Sequence, residues 1–346
     1  MHTLPLDLVW QRDLSRPRYQ GPDDTIHPFA QTKPREYGWI CALLRSFPLR
    51  HHPDDRFEVD APTPIVVLEG DTYNPTRVRT YLRRLKTNGR GVGLLHIGDE
   101  FGRAPLKVYD EATFVYRNYW RPTLATYPQA RYLPLGVNCP VELLDPPSFS
   151  ERRHRWSFAG QRKGPRETMI DTVAQRSDGY LQVNDNFNSG LPKEAYIQLL
   201  ERTEVVLCPR GFSAVESYRV YEALEAGAIP LVEDDGGIGL WHEHLAPASA
   251  WTALTGGPSY WYDLARRSRQ PSYWHSAYGS GFPCPRIYRW DNVNRILDSL
   301  DRAPLAAATR TWWTNYKSAL RSQIATDIHR HLHPGRRAPL NAAAES

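Results

Sequence analysis

VVLCPRGFSAVESYRVYEALEAGAIPLVEDD, from Val205 to Asp235, reads as strand, turn, helix and strand. Val205 to Cys208 is a short apolar run of strand length, and Pro209-Arg210-Gly211 breaks it with a turn. Ser213 and Glu216 stand in S-x-x-E spacing, which predicts a capping box and a helix starting at Ala214. Gly227 offers the left-handed residue that ends such a helix, and Ile229 to Val232 is the next buried strand. A strand, crossover helix and strand of this kind build a parallel sheet. The helix amino end and Arg210 then face the crevice beyond the strand's carboxyl end, where such sheets bind anions. Arg219 and Glu222 lie three apart and share a helix face. They form either a surface ion pair of about 0.3 kcal/mol, or a site in which Arg219 meets a diphosphate and Glu222 accepts from two ribose hydroxyls.

The same alternation extends through the chain. PIVVLEGD (Pro64 to Asp71), GVGLLHIGDE (Gly91 to Glu100), ATFVYRNYW (Ala112 to Trp120) and RYLPLGVN (Arg131 to Asn138) read as strands and strand ends, with a helical stretch near Thr76 to Leu85. CPVELLDPPSFSERRHR, after Val137 and Asn138, reads as a linker. WSFAGQRKGPRE (Trp156 to Glu167) opens a second half. The expected organisation is an N-terminal Rossmann-like domain at 1–150, a second at 151–303, a closing helix at 304–333 and a disordered tail at 334–346. A cleft between the two halves is the expected place for a ligand. In the closing helix Trp312, Tyr316, Leu320, Ile324 and Ile328 recur at spacing four, for packing against the domains or, less favoured, a membrane surface.

Composition bounds the function. The chain's 346 residues suffice for two cores, and 41% hydrophobic with 23% charged residues is an ordinary globular balance. No apolar run approaches membrane-span length, and Asp7, Gln11 and Asp13 interrupt the N-terminal apolar residues, arguing against a signal peptide. Cys41, Cys139, Cys208 and Cys284 are too scattered for a disulfide framework or a zinc knuckle and read as reduced thiols in the cytoplasm. A net charge of +5 suits anionic ligands and is too dispersed for nucleic acid. His329, His331 and His333 read as a solvated helix end in preference to a metal site.

CPRGFSAVESYRVYEALEAGAIPLV resembles the C-terminal signature of exostosin-like glycosyltransferases, with Ser217, Arg219, Glu222, Gly227, Ile229 and Pro230 matching position by position and Ala228 standing where the family usually has cysteine. LPLGVN and WSFAGQRKG resemble the segments that close the first domain and open the second in the two-domain GT-B layout. The resemblance implies an α/β GT-B fold and a nucleotide-sugar donor, most often a UDP-sugar. It also implies binding without an obligatory metal. No other cofactor is expected, and the acceptor is expected to be a saccharide or glycolipid in bacterial surface polysaccharide or glycoconjugate synthesis, since no anchor precedes the catalytic region. Peripheral contact with the inner membrane stays open. Ser217, Arg219 and Glu222, with the basic turn Arg210-Gly211, become donor contacts. Gly160, Gln161, Arg162 and Lys163, after the strand Trp156 to Ala159, form a second basic donor loop, ahead of Pro165 and Arg166. An inverting transfer needs a general base in the first half. Asp99 and Glu100, beside Gly98, are the preferred residues, followed by Glu69 with Asp71, and by His96. Glu233 to Asp235 read as a polar loop near the donor sugar. The competing class is a relative that binds sugar or nucleotide without transferring it.

Overall fold

The computed structural model describes residues 5–11, 33–71, 73–86, 91–137, 148–164, 166–184, 190–234 and 272–332. Most of the linker, Asp235, the Trp-rich stretch that follows it and the C-terminal tail lie outside the described residues. The chain forms two compact units. The first comprises Met1–Tyr119, Thr123–Pro134 and Asn315–Ser346; the second comprises Trp120–Pro122 and Leu135–Thr314.

The first unit is built on six parallel strands: β1 (Leu6–Trp10), β2 (Leu49–Pro53), β3 (Pro64–Glu69), β4 (Gly93–Ile97), β5 (Phe114–Arg117) and β6 (Ala130–Tyr132), in the order β2-β1-β3-β4-β5-β6. Helices α1 (Tyr37–Leu43) and α2 (Pro75–Leu85) accompany it. Asn74 caps α2 by accepting from the Arg77 N–H, and Pro75 occupies the first turn, where a missing N–H costs nothing. Strands β1, β3, β4 and β5 are buried along their whole length, which explains the nearly unbroken apolar runs of β3 and β4.

The second unit carries five parallel strands: β7 (His154–Gln161), β8 (Gly179–Asn184), β9 (Thr203–Cys208), β10 (Ile229–Glu233) and β11 (Arg286–Ile287), in the order β11-β10-β9-β7-β8. Its helices are α3 (Arg166–Val173), α4 (Lys193–Glu201), α5 (Tyr218–Glu225), α6 (Tyr273–Tyr278) and α7 (Val293–Ser299). Trp156, Phe158, Ile170, Val205, Leu207, Leu231 and Trp290 are among its core residues. The final helix α8 (Arg302–Leu332) gives its residues to Thr314 to the second unit and the rest to the first. This α/β architecture of two parallel sheets and a long C-terminal helix agrees with the GT-B expectation.

Each sheet reverses direction once. The chain leaves β1 for β2 on one side and then crosses to β3 on the other; it does the same from β7 to β8 and then β9. Connections diverge at the carboxyl ends of β1 and β3, and of β7 and β9, and leave a crevice there.

Three local expectations change. Strands β1 and β2 were hidden because Asp7 and the polar residues of LRHHP break the apolar pattern. Asp7 is fully buried, accepts from Arg50 and the Thr63 N–H at 3.0 Å each, and lies 2.9 Å from His52 Nε2. Those bonds hold its pKa below the ordinary value although burial opposes them. The box at Ser213 and Glu216 does not form: α5 starts four residues later, at Tyr218, with Ser217 in the N-cap position. Glu216 is instead 1% exposed, accepts from the Leu135 N–H at 3.1 Å and takes the hydroxyls of Tyr221 and Tyr273. Along α8 the buried stripe passes through Trp313 and Lys317 before Leu320, Ile324 and Ile328, one residue out of phase with the expected Trp312 and Tyr316.

Candidate functional site at the carboxyl edge of the second sheet

The reversal point of the second sheet brings together the loops after β7 and β9 and the amino end of α5. Ser217 precedes α5, and Arg219 occupies its second position in a first turn without acidic residues. A cation there opposes the helix dipole unless an anion shares the site. The Arg219 side chain reaches across to β7: Nη2 donates to the Ala159 carbonyl at 2.9 Å, and the guanidinium lies 4.9 Å from the Phe158 ring centroid. Gly160 makes that approach possible, since a Cβ at this position would stand 2.9 Å from Arg219 Nη2. Among the described residues, Arg219 Nε and Ser217 Oγ are buried polar atoms without a hydrogen-bond partner. Such orphaned groups are expensive in a folded protein and call for a ligand or an ordered water.

Glu222, one turn further along α5, is 6% exposed and accepts from the Tyr196 hydroxyl at 3.1 Å. Burial, with the Glu222 carboxylate beside it, pushes the Tyr196 phenol well up, so it stays a donor. Burial also raises the Cys208 thiol, at the end of β9, despite nearby Arg219. Arg219 and Glu222 are thus drawn inward along the same short helix, unlike an exposed ion pair. No local pattern marks Tyr196.

The remaining basic residues divide. Arg210 is tied down: its Nε donates to Glu233 Oε1 at 2.5 Å and its N–H to Oε2 at 3.0 Å, while Trp290 Nε1 donates to the same carboxylate at 2.9 Å. Arg210 and Glu233 therefore bind the turn after β9 to β10. Arg162 is exposed and pairs with Asp171 at 2.8 Å. Arg166 is buried and donates to the Arg210 carbonyl at 2.8 Å, joining the two loops. Gln161 and Lys163 are half-buried, and Lys163 Nζ lies 3.1 Å from the Phe212 ring centroid. Gly211 donates its N–H to the Ala214 carbonyl at 2.9 Å and shapes the loop that leads to Ser217.

Behind the site stands Arg152, buried without a carboxylate partner among the described residues. It donates to the carbonyls of Leu200 (3.1 Å) and Ala226 (2.7 Å), at the carboxyl ends of α4 and α5, and to that of Thr203 (2.6 Å), the first residue of β9. Burial pushes its pKa down to about 10, which still leaves it charged at neutral pH. A cation is favourable at a helix carboxyl end, and here it serves two.

The carboxylates expected in the first unit also sit at strand ends. Gly70 and Gly98, with φ of +62° and +75°, follow β3 and β4, and the Gly70 N–H donates to the Ile97 carbonyl at 2.7 Å. Glu69, at the reversal point, is 9% exposed, and its N–H donates to Gln11 Oε1 at 2.7 Å. Asp99 accepts from the N–H groups of Arg103 (2.9 Å) and Ala104 (3.2 Å) and from Arg117 Nη2 (2.5 Å). Arg117 is fully buried; Tyr109 and Asp99 keep it protonated against the opposing effect of burial. His96 has Nε2 2.8 Å from the Gly70 carbonyl and Nδ1 3.3 Å from Arg117 Nη1. The carbonyl can only accept and the guanidinium only donate, so His96 is neutral with its proton on Nε2. Both nitrogens are engaged and the residue is 0% exposed, which makes it a core histidine. Glu100 is half-buried, and Asp71 is exposed. Sequence reading missed Glu36: it is 5% exposed and accepts from Asn118 Nδ2 at 3.4 Å, while Asn118 Oδ1 accepts from the Gly98 N–H.

Among the described residues no group of three or more His, Cys, Asp or Glu is arranged to hold a metal ion, and no helix is long and apolar enough to cross a membrane. Residues 149–247 match the family model described as the RXYLT1 C-terminal domain, an exostosin-related glycosyltransferase family domain. The match supports the exostosin-like resemblance and glycosyltransferase activity in general, and it falls within the second unit. No curated protein matches the chain.

Proposed function

We propose that this chain transfers a sugar from a nucleotide-sugar donor, a UDP-sugar, to a saccharide or glycolipid acceptor, without a metal, in bacterial surface glycoconjugate synthesis. The observation that carries the reading is the pair of orphaned buried atoms, Ser217 Oγ and Arg219 Nε, at the reversal point of a parallel sheet inside the family-matched segment. Arg219 and the α5 amino end take the diphosphate, Glu222 takes the ribose diol, and the loop Gly160 to Lys163 with Arg210-Gly211 frames them. In the first unit Asp99, Glu100 and Glu69 are the candidates for the base; the Asp99 oxygens receive three donors, so its substitution also costs stability. A cytoplasmic setting, with or without contact to the inner membrane, is part of the proposal and is supported by the free thiols of Cys41, Cys208 and Cys284.

The test is calorimetric titration of the wild type and Arg219→Ala with UDP and with uridine. Loss of a charge-assisted bond to phosphate weakens UDP by about 1.5–3 kcal/mol, close to 10- to 100-fold, and leaves uridine unchanged. Equal losses for both make Arg219 structural. A second reading, nucleotide binding without transfer, draws support from the occupied Asp99 and His96; UDP binding with no release of UDP from any UDP-sugar and acceptor pair would establish it.

A further inference from the structure

Phe212 is an aromatic side chain left 59% exposed. It follows Gly211 in the turn leaving β9, and Lys163, whose ammonium lies 3.1 Å from its ring centroid, stands in the loop leaving β7. The two residues therefore come from the two arms of the reversal crevice, one on each side of the strand ends that lead to Ser217 and Arg219. An exposed ring is a surface on which something flat can lie, and here a flexible cation lies against it. Resting on the donor reading above, we propose that Phe212 is the stacking platform for the nucleobase of a nucleoside diphosphate, and that Lys163 is its removable cover. In the free protein the ammonium lies on the ring. When a nucleoside diphosphate enters, the ammonium leaves the ring for a phosphate oxygen, the stronger partner, and the uncovered face takes the base. The exchange couples the two halves of the ligand, because phosphate capture opens the surface on which the base stacks.

The experiment measures binding of UDP, uridine and inorganic pyrophosphate to the wild type, Phe212→Leu and Lys163→Met. Circular dichroism checks the fold, which an exposed position should not disturb. Phe212→Leu is expected to weaken UDP and uridine about tenfold each and leave pyrophosphate unchanged. Lys163→Met is expected to weaken UDP and pyrophosphate while tightening uridine, since the ammonium no longer competes for the ring. Uridine and UDP affinities within twofold of wild type in Phe212→Leu overturn the platform. A Lys163→Met protein that loses uridine as strongly as pyrophosphate overturns the exchange. Wild type that binds pyrophosphate but neither uridine nor UDP removes the platform and leaves the anion site standing; wild type that binds none of the three removes the donor reading itself.

Discussion

The two sheets follow the same strand order around their reversal points, yet their carboxyl edges are finished in opposite ways. In the first, Asp99, Arg117, His96 and Tyr109 bind chiefly one another and their own loops, though Arg117 Nε has no hydrogen-bond partner among the described residues. In the second, Arg219 and Ser217 carry polar atoms without hydrogen-bond partners among the described residues, and Phe212, in the turn after β9, stays exposed. The sheets' shared topology locates a crevice in each; the satisfaction of the polar groups around it separates architecture from recognition. Within the second sheet the contrast recurs from end to end. Near the amino ends, Asp178 accepts from Trp156 Nε1 at 2.9 Å and pairs with Arg176 at 2.6 Å, a closed arrangement opposite the open one.

The contrast breaks most visibly if the first edge proves dispensable for stability. Arg117→Met leaves the Asp99 carboxylate buried without its cation and should cost about 3–5 kcal/mol in chemical denaturation. A loss under about 1 kcal/mol would mean that the network is not structural. The next largest effect concerns turnover. Glu100→Gln and Glu69→Gln are compared with Asp99→Asn under saturating UDP-sugar, reading release of free UDP. Removal of the true base lowers the rate about 100-fold or more with UDP affinity unchanged. The contrast predicts that this loss falls on Glu100 or Glu69, and that Asp99→Asn mainly lowers stability; a rate loss confined to Asp99→Asn in a fully stable protein would move the chemistry into the closed network. The smallest effect is a pH dependence. Arg176 holds the Asp178 pKa down at about 2, below its ordinary 3.8, with help from Trp156 and against burial. The associated stability is present above pH 3.8 and lost as pH falls toward 2. Allowing for the side chain's 34% exposure, the loss is about 1 kcal/mol. Asp178→Asn should remove this slope from the Trp-fluorescence melting profile between pH 4 and 2, and an unchanged slope would place the acid sensitivity elsewhere.

Much of the second sheet was readable because its physics is local. Val205 to Leu207 and Ile229 to Val232 are unbroken apolar runs, and Gly227 takes the expected left-handed conformation at φ +67°. The errors arose where distant partners decide the outcome. Asp7 made β1 look polar, and its reason for being buried lies on β2, where Arg50 and His52 meet it. Ser213 and Glu216 have the spacing of a capping box, but two tyrosine hydroxyls and the Leu135 N–H claim the carboxylate. For the candidate site, sequence marked Arg219, Glu222 and the Gly160 loop through a family pattern. Tyr196 and Phe212 left no such trace, since one works through a long-range hydrogen bond and the other through exposure. Arg210 shows the converse: a basic residue in a glycine turn signals an anion only if no carboxylate reaches it first, and Glu233 does.

Arg152 gives α5 a second use. The helix is only eight residues long, too short to persist alone, yet its carboxyl end is pinned at Ala226 by a cation that also holds α4. Conformational freedom that Ser217, Arg219 and Glu222 would otherwise surrender on meeting a nucleotide is surrendered when the chain folds. On the proposed donor reading, the site is thereby preorganised from the side that no ligand touches, and its affinity rests in part on a residue 67 positions before Arg219 in the sequence.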